Sequence, residues 1–245
     1  MQTFKLVIAY DGTAFHGWQE QPGLHTIEGL FKTRLRQIFK KSISFTGASR
    51  TDAGVHALGQ VARIKTDLPL SPLELATILN RALPPSVQIR SITTVPETFH
   101  PRVNVIEKTY LYHFFVHQPS PFVSRFGAYI HHVDLELFQQ ALKLFEGTHD
   151  FRSFCTGDQG RTTVRTIRSL ELIPPDPSGL YQVKIIGPSF LRHMIRRIIG
   201  GCFDVALKKN SLKALKDALE KKHPEHTFFV APPEGLLLHS IIYKD

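Results

Sequence analysis

The sequence predicts a mixed helix-and-strand protein built from two α/β units of similar layout. Short β-prone runs alternate with amphipathic stretches of helical period along the 245 residues, and their order in the first half recurs in the second. The composition, 42% hydrophobic and 21% charged, is that of a globular chain. Its length suits one large domain or two small ones and is enough to bury a core without covalent staples.

Residues 4–10 read as a strand, which the turn pair Asp11-Gly12 ends. Thr26 caps a helix carrying Ile27, Leu30, Phe31, Leu35 and Ile38 at a spacing near 3.6. A strand follows at 60–65. Ser71-Pro72-Leu73-Glu74 is a capping box with proline at the first helical position, and Leu75, Ile78, Leu79 and Ala82 share one face behind it. Pro84-Pro85 stops that helix, and 87–95 reads as another strand.

The second half starts with an aromatic-rich strand at 109–116. Asp134 caps a helix bearing Leu135, Phe138, Ala141, Leu142 and Phe145, with Gly147 as its stop. Strands at 165–173 and 180–186 flank a Pro-Asp-Pro-Ser-Gly turn. A helix over 190–207, a second one capped by Ser211 and a strand at 236–243 complete the chain. The halves join near 99–108. Sheets with helices on one side would leave a broad face free.

The two cysteines, Cys155 and Cys202, lie within or beside apolar stretches without a CxxC pair, so a reduced, intracellular setting is expected. The opening MQTFKLVIAYDGT lacks the parts of a secretory signal. No apolar run approaches the ~18–20 residues of a membrane helix, so a cytoplasmic protein with no membrane partner is expected. The net charge of +9 favours polyanionic partners. Positive side chains cluster at Arg192, Arg196 and Arg197, and at Lys32, Arg34, Arg36, Lys40 and Lys41, although such runs are most often solvated helix faces. Among the 13 histidines, His131-His132 and His149 with Cys155 come nearest to a cluster, but none has metal-ligand spacing. Trp18 reads as buried packing, with stacking on RNA as the alternative.

The most unusual segment is SFTGASRTDAGVHALGQ, residues 44–60. It sets Arg50, Thr51, Asp52 and His56 among Gly47, Ala48, Ala53, Gly54, Ala57 and Gly59. Small residues let a backbone or flat ligand approach closely, while the polar ones sit on a tight loop. An aspartate in such a loop is usually a turn residue. Arg50, two residues away, weighs against that reading, because a guanidinium could keep the carboxylate ionised or project into a nucleic-acid helix.

This stretch resembles the catalytic loop of TruA-type tRNA pseudouridine synthases, whose motif is close to GRTDxGVHA. YDGTAFHGWQEQP (10–22), FHPR (99–102), KTYLY (108–112), GTHDFRSF (147–154), SFLRHMIRRIIG (189–200) and APPEGLLL (231–238) match further family segments in the same order. The resemblance implies an α+β fold of two pseudo-symmetric ferredoxin- or RRM-like units with antiparallel sheets and a cleft between them. Residues 1–104 would carry the aspartate loop, and 105–245 the tyrosine and arginine of the site.

The resemblance also implies roles. Asp52 takes the place of the catalytic aspartate, Tyr110 of the tyrosine packed against the target base, and Arg196 of the arginine paired with the aspartate. Arg50 aligns with a residue that helps turn the uridine out of its stack. The implied reaction breaks the bond from ribose C1′ to uracil N1 and rejoins the ring through C5. No atoms are gained or lost, so no cofactor is implied. A carboxylate could attack C1′, attack C6 or take a proton from C2′. The base must leave its stack, which makes an aromatic and a wedge-like arginine useful. The implied substrate is the tRNA anticodon stem-loop at the uridines conventionally numbered 38, 39 and 40, and the implied assembly a homodimer.

Taken without the resemblance, Tyr110 alternates with Tyr112 and Phe114 on one strand face, with Phe115 opposite, as core residues do. Arg192 and Arg196 would share a helix face that contacts solvent or phosphate. A non-catalytic RNA-binding protein or tRNA chaperone, or a synthase for another RNA, are the alternatives. Glu28, Ser49, Ser86 and Pro101 depart from the family pattern and bear on local loop geometry rather than on the reaction.

Overall fold

The computed structural model describes residues 1–157, 162–221 and 228–244. The chain opens with β1 (Gln2–Tyr10), α1 (Ile27–Phe39), β2 (Ser44–Gly47), β3 (His56–Thr66), α2 (Pro72–Ala82) and β4 (Val87–Thr94). It continues with β5 (Val105–Phe115), β6 (Ala128–Tyr129), α3 (Leu135–Lys143), β7 (Gly147–Asp150), β8 (Val164–Ile167) and β9 (Ser169–Ile173). The last elements are β10 (Tyr181–Gly187), α4 (Met194–Ala206), α5 (Leu212–Lys221) and β11 (Leu236–Tyr243). The fold is α+β, and its strand pairs are mostly antiparallel.

The chain divides into two compact units, Met1–Ile106 with Leu237–Asp245, and Glu107–Leu236. The last strand, which the sequence groups with the second half, thus clusters with the first. In the first unit β1 lies antiparallel between β3 and β4, and β2 pairs antiparallel with β3. The order β4–β1–β3–β2 over a β-α-β-β-α-β succession is the ferredoxin-like arrangement. β11 joins β3 in parallel, with Leu237 opposite His56 and Leu238 opposite Ala57. Phe4, Leu6, Ile8 and Tyr10 are buried at every second position of β1. Ile27, Phe31 and Leu35 from α1 and Leu75 and Leu79 from α2 are buried too. The Phe31 and Phe45 rings stack at 4.8 Å.

The caps form as the sequence requires. The Thr26 side chain accepts from Gly29 N–H, and Ser71 and Glu74 close a capping box. Trp18 is 1% exposed and stacks on Phe45 at 5.8 Å, which removes it from any RNA-stacking role.

In the second unit β10 lies antiparallel between β5 and β9, and β6 runs parallel to β5. The succession β5, α3, β9, β10, α4 repeats the plan of the first unit. Phe114, Phe138 and Phe203 form an aromatic centre, with Phe138 and Phe203 stacked at 4.7 Å. α4 is buried almost all round, unlike a helix that shows one face to solvent.

Several elements depart from the sequence reading. The strand expected over 165–173 is two strands: β8 pairs with β7, β9 pairs with β10, and Arg168 between them donates its N–H to Ile186 C=O at 2.7 Å. Gly147 does not end α3 but opens β7 at φ +102°, after a turn that the Glu146 C=O ties to His149 Nε2 at 2.8 Å. α4 begins at Met194, not 190, because His193 takes the left-handed conformation at φ +61°. Arg192 therefore precedes the helix and shares no helical face with Arg196. Phe115, expected opposite the core face, is 2% exposed, because Gly127 packs against its ring and covers the second face of β5.

Candidate active site

Arg50 and Asp52 sit together on the loop that joins β2 to β3 in the first unit; Arg50 is exposed and Asp52 half-buried. Tyr110 lies on β5 and Arg196 in the first turn of α4, both in the second unit.

The Asp52 loop is short and fixed at both ends by backbone pairing. Ala48 N–H donates to Val61 C=O at 2.8 Å where β2 leaves off. The Gln60 side chain then pairs with Ser49 as a strand would: Ser49 N–H donates to Oε1 at 3.1 Å, and Nε2 donates to Ser49 C=O at 2.7 Å. Gln60 is fully buried, so these bonds work in a medium that strengthens them. Arg102, from the FHPR segment, reaches Gly47 C=O through Nε at 2.9 Å. Burial, then the neighbouring Arg63 and Arg102 charges, hold His100 below the usual histidine value. Its ring accepts the Arg102 N–H at Nδ1, 3.2 Å away.

The loop after β1 clamps the Asp52 loop from the other side. Trp18 N–H donates to Thr51 C=O at 3.0 Å, and Gly54 N–H donates to Phe15 C=O at 3.2 Å. Tyr10 Oη and Thr51 Oγ1 are hydrogen-bonded at 2.8 Å. Gly17, at φ +84°, approaches so closely that a Cβ there would lie 2.6 Å from Thr51 O and 3.0 Å from the Asp52 carbonyl carbon. Only glycine satisfies both the dihedral and the approach. At the foot of β3, Gly12 N–H donates to His56 Nδ1 at 3.0 Å, and Asp11 Oδ1 lies 3.2 Å from the same nitrogen. The N-terminal segment therefore serves as a mould for the loop that carries Asp52.

In the second unit Tyr110 is 6% exposed and meets Phe190 edge-on, with centroids 5.3 Å apart. Tyr112, two residues on, is wholly buried and donates its hydroxyl to Pro232 C=O at 3.0 Å. Burial pushes the Tyr112 phenol well above its usual value; Glu234 adds to the rise and Arg196 opposes it. Arg196 is half-buried, and its Nε donates to Ala231 C=O at 2.7 Å, while Ala231 N–H donates to Arg196 C=O at 3.0 Å. One guanidinium nitrogen is thus fixed by protein, which limits the directions the others can take.

The sequence reading passed over Gln60, Tyr10, Gly17 and Ala231. Gln60 alone carried a local signal, as a polar residue inside an apolar strand. The departures from the family pattern find places. Glu28 accepts Glu20 N–H at 3.1 Å and pairs with Lys32 at 3.4 Å, which a carboxylate does better than an amide. Ser86 and Pro101 act through their carbonyls, towards Asp11 N–H at 2.9 Å and the Tyr243 hydroxyl at 2.8 Å, which any residue could offer. Nothing in the structure explains serine rather than glycine at Ser49. Among the described residues, no three His, Cys, Asp or Glu side chains are gathered as metal ligands would be.

The first unit thus carries a carboxylate and an arginine on a moulded loop, and the second a packed tyrosine and an arginine held by Ala231. A family model described as tRNA pseudouridine synthase matches residues 6–103 and 141–244, and the chain belongs to that family. It is 35% identical to tRNA pseudouridine synthase A of Thermodesulfovibrio yellowstonii, over 99% of this chain and 100% of that one. It is 34% identical to the tRNA pseudouridine synthase A of Thermotoga neapolitana, with the same coverage. Identity to the protein of that name from a Geobacillus species is 37%, over 98% of each chain. The protein is thus an isomerase that converts uridine to pseudouridine in tRNA, and the non-catalytic alternative loses its support.

Proposed function

We propose that the enzyme acts on the anticodon stem-loop of tRNA, at positions 38, 39 and 40, with Asp52 as the catalytic carboxylate. The observation that carries this reading is the double clamp on the Asp52 loop. Backbone bonds from Trp18 and Gly54 and the Gln60 amide hold a half-buried carboxylate still, beside an exposed Arg50. A loop that merely turned the chain would need none of this. Arg50 enters the stack and turns the uridine out, Tyr110 packs against the base, and Arg196 is a further substrate-binding residue.

The reaction consumes nothing. The C1′–N1 bond breaks, the uracil ring turns, and C5 bonds to C1′; the proton leaves C5 and N1 regains one. Tritium placed at C5 of uridine is therefore released to water once per turnover. Wild-type enzyme should release it from the anticodon arm alone, and Asp52→Asn should lower the rate by about a thousandfold or more with tRNA still bound. Full activity in Asp52→Asn would remove that residue from the chemistry; release from another arm would discard the target. The reading extends to a homodimer in the cytoplasm, for which sedimentation as a dimer and cell fractionation are the checks.

A further inference from the structure

We infer that Asp204 is a positioning residue for Arg196, acting through the 228–231 segment that lies along α4. The inference rests on the role proposed for Arg196. Residues 196, 200 and 204 of α4 recur every four positions and so form one ridge. Each engages the same passing segment. Arg196 takes Ala231 at both ends, giving Nε to its C=O at 2.7 Å and accepting its N–H at 3.0 Å. Gly200 lets the backbone ride on the helix, since a Cβ there would sit 1.6 Å from Phe229 O. Asp204 Oδ2 accepts Phe229 N–H at 2.9 Å.

Asp204 is hard to explain as a stabiliser of the helix itself. It is 6% exposed, and among the described residues it makes no ion pair, so its carboxylate is desolvated without a charge partner. It also stands in the last turn of α4, where the helix dipole disfavours a negative charge. What the carboxylate gains is a charge-assisted bond to Phe229 N–H, stronger than a neutral acceptor would make. That bond fixes the segment two residues before Ala231, and Ala231 is the residue whose carbonyl aims the Arg196 guanidinium. Without it, among the described residues the hydrogen bonds that tie Ala231 to the helix are those to the arginine it is meant to direct.

The test compares Asp204→Ala with Asp204→Asn, whose amide oxygen can still accept from Phe229. Asp204→Ala should lower kcat for tritium release by about tenfold to a hundredfold, with KM for tRNA within about twofold. Asp204→Asn should keep most of the wild-type kcat. In an Arg196→Ala background, Asp204→Ala should add no further loss, because the group it positions is gone. The Arg196 Nε–H resonance gives a second readout: its hydrogen exchange should quicken at least about tenfold in Asp204→Ala and not in Asp204→Asn. If Asp204→Ala does not fold, Gly200→Ala takes its place, displacing the 228–231 segment with the carboxylate intact, and the same kcat loss and faster exchange are expected. Wild-type kcat in a folded Asp204→Ala, or losses that multiply with Arg196→Ala, would overturn the inference. Full activity in Arg196→Ala alone would instead overturn the role given to Arg196, so the two failures are told apart.

Discussion

Gln60 holds Ser49 by both backbone groups, and its replacement isolates what the clamp is worth. Leucine fills much the same volume but offers neither donor nor acceptor, so Ser49 N–H and C=O would lose their Gln60 partners in a buried site. Each such group costs about 1–3 kcal/mol. Gln60→Leu should therefore lower stability in urea denaturation by about 2–6 kcal/mol; an unchanged midpoint would mean that the loop holds itself. Gly17→Ala probes the same loop from the other side. It forces a Cβ to within 2.6 Å of Thr51 O and a strained φ of +84°, so the backbone of residues 51–52 must shift. A shift of that kind next to the carboxylate proposed as catalytic should reduce kcat by about tenfold to a hundredfold and leave tRNA affinity nearly intact. Equal kcat for the two proteins would show that the loop tolerates displacement.

Elements with local causes were legible in the sequence. The helices at Thr26, Ser71 and Asp134 begin where a capping side chain meets an apolar period, and each cap forms. Elements set by tertiary context were not. The break at Arg168 depends on which partner strand each half finds, and the late start of α4 depends on a left-handed histidine that no periodicity marks. The site divides the same way. Asp52 and Arg50 are legible because a motif surrounds them. Gln60 and Asp204 take their meaning from partners 11 and 25 residues away, which a linear reading does not join. The Ser71 box also gives a pH test. The Ser71 N–H first, and then its hydroxyl, hold the Glu74 carboxyl below the usual glutamate range. The folded value is the lower one, so the contribution to stability is complete above the ordinary glutamate value and is lost as pH falls through the depressed one. Ser71→Ala should remove part of that acid-side slope, leaving only what the Ser71 N–H supplies; an unaltered slope would exclude the hydroxyl.

At the scale of the whole molecule, the charge of +9 was visible in the sequence, and its consequence is electrostatic capture of tRNA. Each neutralised phosphate contributes about 0.7–0.9 to the slope of log affinity against log salt. With Asp52→Asn as a binding-competent form, affinity for tRNA should fall steeply between low and physiological salt; a flat response would sink this account of capture. The Ala231 clamp has a different consequence, one of timing. The carbonyl that aims Arg196 comes 35 residues after it in the chain. The Asp52 loop, by contrast, is gripped by residues such as Trp18 and Phe15 that left the ribosome before it. The clamp on the Asp52 loop is therefore complete once residue 102 has followed it, whereas Arg196 gains its Nε partner only when residue 231 arrives.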